Sequence, residues 1–307
     1  MFSSVLPQLL RFFIVTLLVS LLVFLLIHLI PGDPVEVMLG ESAQPADLVA
    51  LRHHLGLDRP LLEQMGDYYF NLFQGDLGQS LHQQRPVADI IVERIPATLY
   101  LTSVALIIAL MIAIPAGIMS AYKKGRYSDT ATMMLSLAAV SIPNFWLGPM
   151  LILVFSIWLA WTPVGGNESL QAIWLPAITL GSGLAAILTR MVRSTMLEVM
   201  HEDYIRTAKA KGQSVFAVLW YHAMANAWLP ILTIVGMQLG ALLAGSVITE
   251  TIFSWPGLGS LMIESIQKRD YPVVQGCILL ISLFYVSVNM LTDIMYTLID
   301  PRVAHRA

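Results

Sequence analysis

Residues 97–122 read ATLYLTSVALIIALMIAIPAGIMSAY, a run without Asp, Glu, Lys or Arg. A helix needs about 20 consecutive apolar residues to cross the hydrocarbon core of a bilayer, so this run predicts a transmembrane helix. Similar runs recur along the 307-residue chain, which is 57% hydrophobic and 12% charged, whereas a soluble domain has about 25% charged residues. We predict an all-α integral membrane protein with six transmembrane helices, at residues 9–30, 97–121, 131–160, 172–193, 227–249 and 273–298.

Two of the uncharged runs, 130–167 and 212–249, are long enough to hold two spans each. Pro143 and Pro149 interrupt the first run, and His222 makes the start of the second run polar. One span is therefore assigned to each run.

The distribution of Lys and Arg predicts the orientation, because cytoplasmic loops close to spans carry an excess of these residues. With the amino terminus inside, 11 of the 17 Lys and Arg residues fall on the cytoplasmic side. Both termini are therefore expected in the cytoplasm. The first span ends at Ile30 without a small-x-small cleavage site, so we expect a retained anchor helix rather than a signal peptide.

Residues 33–96 form a long polar segment between the first two spans. Leu48, Leu51 and Leu55 recur at helical spacing. We expect short helices that make a small outer cap, and we treat residues 1–307 as a single transmembrane domain.

Residues 203–212, between the fourth and fifth spans, predict a short cytoplasmic helix. Asp203 is a suitable N-cap, and Gly212 can adopt the positive φ that ends a helix. Small side chains in this stretch allow another protein to approach closely, and its basic side chains add charge around that contact. The candidate contact residues are Arg206, Thr207, Ala208, Lys209 and Gly212. The alternative is a solvated basic loop that follows the charge rule.

The stretch Arg206-Thr-Ala-x-x-x-Gly212, followed by Leu229-Pro230, resembles the coupling signature of bacterial ATP-binding-cassette importer permeases, Glu-Ala-Ala-x-x-x-Gly with a later Ile-x-Leu-Pro. Here Arg206-Thr207 replaces Glu-Ala, Ala227 takes the Ile position, and the gap before Leu-Pro is longer. A signature with these differences is similar to that of the dipeptide, oligopeptide and nickel branch. Further blocks that resemble this branch, and most of all its B-type permease subunit, are Pro31–Pro34, Leu55–Pro60, Gly75–Gly78, Pro96–Leu99, Glu202–Ala208, Glu250–Gly259, Arg269–Pro272 and Asp300-Pro301.

This resemblance implies one permease of an importer in the bacterial inner membrane that has two permeases and two ATPase subunits. Its partners are then a second homologous permease, the ATPases, membrane lipid and a periplasmic or lipid-anchored substrate-binding protein, with no nucleic acid. The cargo is expected to be a di- or oligopeptide or a similar small solute; nickel, a metallophore complex and glutathione stay open. The chain itself is expected to hold no cofactor, because ATP and Mg bind to the ATPases. Residues 203–212 are then the helix that couples the spans to an ATPase.

The segment after the fifth span resembles the family's outer re-entrant segment, which implies an outer gate or binding-protein face at Phe253, Trp255 and Pro256. The alternative for Trp255 is an interfacial tryptophan without a gating role. In the last span, Asp293 is ionisable at membrane depth, which favours a functional role, and Asn289 lies one turn earlier on the same face. We name both as possible pathway residues, although snorkelling of Asp293 or its pairing with an arginine is an equal alternative.

Several enzyme and transport classes lack their motifs in this sequence. A phosphate-binding Gly-x-x-x-x-Gly-Lys-Ser/Thr loop is absent, and His201-Glu202 lacks the second histidine of a zinc protease helix. With the single cysteine, Cys277, an internal disulfide is excluded. A secondary transporter or channel, and an intramembrane enzyme, are kept as the more distant alternatives.

Overall fold

The structure, a computed structural model, describes residues 2–29, 34–40, 44–54 and 56–299. These residues are mainly helical, and an isolated β-bridge joins Gln79 to Pro86. In chain order the helices are α1 (Phe2–Leu29), α2 (Pro34–Leu39), α3 (Pro45–His54), α4 (Leu61–Phe73), α5 (Val87–Tyr122), α6 (Tyr127–Ser141), α7 (Asn144–Leu151), α8 (Trp174–Val199), α9 (Asp203–Ala210), α10 (Val215–Ala217), α11 (Met224–Ile252), α12 (Leu258–Gln267) and α13 (Tyr271–Ile299). Helix α7 continues into a π-helical segment, Ile152–Trp158, and a second one, Val218–Ala223, joins α10 to α11.

Within the part of the chain that the structure describes, five helices are long and apolar enough to cross a membrane, namely α1, α5, α8, α11 and α13. The predicted span 131–160 is not one straight helix, because α6 and the segment 144–158 meet at a bend of 102°. The cause is Pro143, since a residue that precedes proline avoids the helical region and Ile142 is extended, with φ −87° and ψ 117°. The described residues therefore contain five candidate spans, or six if the bent pair crosses as one unit.

Helices α5 and α8 pack closely and run parallel. A side-chain carbon added at Gly181 would lie 2.6 Å from the Ala105 carbonyl oxygen, and one added at Gly117 would lie 2.6 Å from Cβ of Val192. Each helix presents a small buried residue every four positions: Ala105, Ala109, Ala113 and Gly117 on α5, and Ala177, Gly181, Ala185 and Thr189 on α8. Such stripes allow two membrane helices to approach at backbone distance.

Helix α13 packs antiparallel to α11 in the same manner. A carbon added at Gly236 would overlap the Thr292 side chain, and one added at Gly240 would overlap the Tyr285 ring. Helix α13 also holds α1, because Gln275 Nε2 donates to the Val23 carbonyl oxygen at 2.8 Å.

The bundle has two ends, which we call the α9 end and the α12 end. At the α9 end, Ile205 lies in one buried cluster with Ile118 of α5 and Met196 of α8. At the α12 end, Trp255 lies in another cluster with Leu101 of α5 and Leu180 of α8. The bent segment begins at the α9 end and approaches the α12 end, where Gly148 of α7 lies next to Ile252 and Phe253.

Candidate functional site

Helix α9 is the short helix that the sequence predicts, although its first residues differ by one position. Glu202, with ψ 148°, is the N-cap and makes no side-chain cap hydrogen bond. The predicted N-cap, Asp203, instead lies in the first turn, where a carboxylate is stabilised by the positive end of the helix dipole. The helix ends at Ala210, and Gly212, two residues later, has a φ of +76°, the left-handed conformation expected there.

The buried face of α9 holds the helix on the spans. Ile205 is 0% exposed and Ala208 is 6% exposed, and they pack with Ile118, Met196 and neighbouring apolar residues. Residues three apart lie on the same face of a helix, so these two side chains form a continuous contact. The Tyr204 hydroxyl also accepts a hydrogen bond from Asn226 Nδ2 of α11 at 2.9 Å.

The opposite face of α9 is exposed and polar. Arg206 has 72% of its side chain exposed and pairs only loosely with Asp203, at 3.2 Å between Nη1 and Oδ1. Thr207, Lys209 and Gly212 are exposed as well. Four of the five predicted contact residues therefore face outward, whereas Ala208 faces the spans of its own chain.

A buried ion pair that sequence reasoning missed lies at the α9 end of the bundle. Asp129, which is 4% exposed, accepts hydrogen bonds from Arg193 Nε at 2.7 Å and Nη2 at 2.8 Å. Ser120 Oγ donates to the same carboxylate at 2.5 Å, and the Gly125 amide donates at 2.9 Å. This bidentate pair fastens the start of α6 to α8 and to the end of α5. From the sequence alone, Arg193 contributes only a positive charge at the end of a span to the prediction of orientation.

The predicted outer-gate residues lie at the α12 end, where Trp255 packs against α5. Trp255 is 2% exposed and Phe253 is 1% exposed, while Pro256 is half-buried. The Trp255 indole donates to the Ala97 carbonyl oxygen at 2.9 Å and stacks on Tyr100, with 6.3 Å between ring centroids. Their role as a gate or binding-protein face stays a prediction, since in this conformation Phe253 and Trp255 face the interior of the chain.

A cavity of about 770 Å³ also lies at the α12 end, between α1, α4 and α13. Its lining mixes apolar side chains with polar ones, and the polar ones include Gln64, Asp67, Asp76 and Gln275. Burial raises the pKa of Tyr68, which also lines the cavity, to about 12, and the neighbouring Tyr69 adds to this effect. The Tyr68 phenol therefore stays neutral at physiological pH.

A family model described as "Binding-protein-dependent transport system inner membrane component" matches residues 113–305. The model of the N-terminal part of such membrane components matches residues 1–102. The chain belongs to this family. It is thus an inner-membrane, multi-pass transport component, as the resemblance of its sequence blocks implied.

Two curated relatives of this transport component cover nearly its whole length. It is 41% identical to the glutathione transport system permease protein GsiC of Escherichia coli K12, over 100% of both chains. It is 45% identical to the di/tripeptide transport system permease protein DppB of Pseudomonas aeruginosa UCBPP-PA14, over 94% of both chains. Members of this family are permease subunits of ATP-binding-cassette importers and are not enzymes.

The fold of the transport component is similar to that of a solved importer. The MetNI methionine ABC transporter, in inward-facing conformations, aligns with a TM-score of 0.58 and 18% identity, covering 69% of this chain and 96% of that chain. The remaining third of this chain lies outside the shared fold.

The predicted pathway residues of this transport component both lie on α13. Asn289 is half-buried, whereas the side chain of Asp293 lies outside the described part of the structure. Within the described residues, no group of three or more His, Cys, Asp or Glu side chains could hold a metal ion. The motif residues 31–33, 55 and 300–301 also lie outside the described residues.

Proposed function

We propose that the chain forms, with a second homologous permease, the translocation path of an importer for short peptides or a closely related solute such as glutathione. A substrate-binding protein delivers the solute, and two separate ATPase subunits bind ATP and Mg. The relatives named for di/tripeptide and glutathione transport support this cargo class. Nickel and metallophore complexes are cargoes that the experiment below distinguishes.

The observation that carries the proposal is the two-faced character of α9. An ATPase can move the spans only through a connection that does not yield, and the buried Ile205 and Ala208 provide a firm attachment to α5 and α8. The exposed Arg206, Thr207 and Lys209 then contact the ATPase. Ala208 acts here by seating the helix, and Gly212 by setting the angle at which the chain leaves it.

We further propose six crossings, with both termini and α9 in the cytoplasm and residues 33–96 as a periplasmic cap. Parallel packing of α5 and α8 supports this count, because the chain must return from the α9 end to the α12 end between them. Only the bent segment 127–158 is available for that return. The whole chain then forms one transmembrane domain whose α12 end receives the binding protein.

The test is uptake by proteoliposomes that contain the complete importer: this chain, its partner permease, both ATPases and the binding protein. We expect uptake of a labelled dipeptide or of glutathione that depends on ATP and on the binding protein. Uptake of nickel or of a metallophore complex, without uptake of a dipeptide or glutathione, would contradict the peptide assignment. Uptake by this chain alone, without an ATPase, would contradict the importer assignment and support a secondary transporter or channel.

A further inference from the structure

Glu250 is a buried carboxylate near the end of α11 to which the coupling and gating roles above assign nothing. The residue is 0% exposed. Thr98 Oγ1 of α5 donates to Glu250 Oε1 at 2.7 Å, and the backbone amides of Gly259 and Ser260 donate to Oε2 at 2.7 and 3.1 Å. One side chain therefore joins α11, α5 and the first turn of α12.

The hydrogen-bond donors of this site match the acceptors of the Glu250 side chain. The first amides of a helix have no partner within the helix and carry its positive end, and α12 directs two of them at Glu250. Thr98 Oγ1 contributes a second bond, since it accepts from the Leu258 amide at 2.8 Å. These hydrogen bonds hold α5, α11 and α12 together at this point.

The glycines of the Pro-Gly-Leu-Gly motif make the approach possible. A side-chain carbon at Gly257 would overlap the Glu250 carboxylate, and one at Gly259 would overlap the backbone of Val247. Gly257 has φ −103°, so the backbone there does not itself require glycine. A side chain is excluded at Gly257 because the Glu250 carboxylate occupies the space that it would need.

The same contacts fix Trp255. Its backbone amide donates to the Glu250 carbonyl oxygen at 2.8 Å, and its indole donates to Ala97, the neighbour of Thr98 on α5. We propose that Glu250 is a positioning residue of the transport cycle, whose carboxylate fastens Trp255 and α12 to α5 so that these parts move together. This inference rests on the proposed function, because it assigns Glu250 a role in passing motion from α9 to the α12 end.

The test compares Thr98→Val with Thr102→Val in the complete importer. Thr98→Val keeps the shape of the side chain but removes both of its bonds at the Glu250 site. Thr102 is the matched control: it is also buried, it lies one turn further along α5, and its hydroxyl bonds only to the carbonyl oxygens of Thr98 and Leu99. We expect Thr98→Val to speed hydrogen exchange at the Gly259 and Ser260 amides by about tenfold, which is the size that the loss of a hydrogen bond implies.

The functional readouts are uptake per ATP hydrolysed and the binding-protein concentration that gives half-maximal uptake. We expect Thr98→Val to lower uptake per ATP hydrolysed without changing that concentration, and Thr98→Ser, which keeps the hydroxyl, to restore the ratio. If Thr98→Val does not assemble, Gly257→Ala is used, because it displaces the carboxylate without altering α5, and the same changes are expected.

Equal exchange rates and equal uptake per ATP in Thr98→Val and Thr102→Val would overturn the proposal, as would a Thr98→Ser variant no better than Thr98→Val. If the proposed importer function is wrong, the experiment gives a different result. In that case the unaltered importer takes up no peptide or glutathione, while the exchange rates of the Gly259 and Ser260 amides still show whether Thr98 and Glu250 hold α12.

Discussion

At the scale of single residues, loss of the Asp129–Arg193 ion pair should lower the stability of the protein measurably. Removing one partner of a buried ion pair leaves the other charge without compensation, which destabilises proteins by about 3–5 kcal/mol. Arg193 keeps 24% of its side chain exposed, so we expect Arg193→Gln to cost about 3 kcal/mol, the lower end of that range. The measurement is the thermal unfolding midpoint of the purified importer.

The control for this variant is Arg190→Gln, which removes an exposed arginine from the same helix. We expect no measurable change in its midpoint. The double variant Asp129→Leu/Arg193→Met should recover part of the loss, because neither charge is left unpaired, although Ser120 Oγ and the Gly125 amide lose their acceptor. Equal midpoints for Arg193→Gln and Arg190→Gln would show that the pair contributes nothing.

At the scale of elements, Gly212 decides how the chain leaves α9. A left-handed backbone costs a residue with a side chain about 1–2 kcal/mol, and no atom lies within 4 Å of a carbon added at Gly212. The strain in Gly212→Val is thus local and too small to unfold the spans. We expect normal membrane insertion with loss of ATPase association and of uptake, measured by affinity purification and by transport.

Gly75→Val is the matched control for Gly212→Val. Gly75 has φ +77° and equally open surroundings, but it follows α4, far along the chain from α9. Gly75→Val should keep the ATPases bound, and Gly212→Asn should be milder than Gly212→Val because asparagine tolerates this conformation. Full ATPase association in Gly212→Val would refute the coupling role of the turn.

At this scale, the sequence predicts those features of the helices and turns whose physical cause lies within a few neighbouring residues. Five spans, the short helix α9 and the positive φ of Gly212 follow from hydropathy and from backbone preferences within a few residues. Pro143 was recognised as an interruption, but the size of the bend depends on what α6 and α7 pack against. The inward direction of Ala208, the burial of Trp255 and the partners of Glu250 could not be predicted, because they depend on contacts such as Thr98–Glu250, which join residues 152 positions apart.

At the scale of the whole molecule, the number of membrane crossings determines whether the two termini lie on the same side of the membrane. With six crossings the termini lie on the same side, whereas a bent segment that enters and leaves on one side would give five crossings and put them on opposite sides. The contacts of the bent segment favour six, since Asp129 bonds to Arg193 at the α9 end and Gly148 lies against Phe253 at the α12 end.

Labelling of single cysteines with a membrane-impermeant maleimide in intact cells decides between these topologies. The native Cys277 is buried, whereas Lys124, Asn167 and Lys211 are exposed, so each can be replaced by cysteine in the native background. If segment 127–158 crosses the membrane, Asn167→Cys reacts in intact cells, and Lys124→Cys and Lys211→Cys react only after permeabilisation. A re-entrant segment would instead put positions 124 and 167 on the same side, and α8 would then carry α9 to the periplasm. Reaction of Lys211→Cys in intact cells would therefore contradict the topology and, with it, any contact between α9 and a cytoplasmic ATPase.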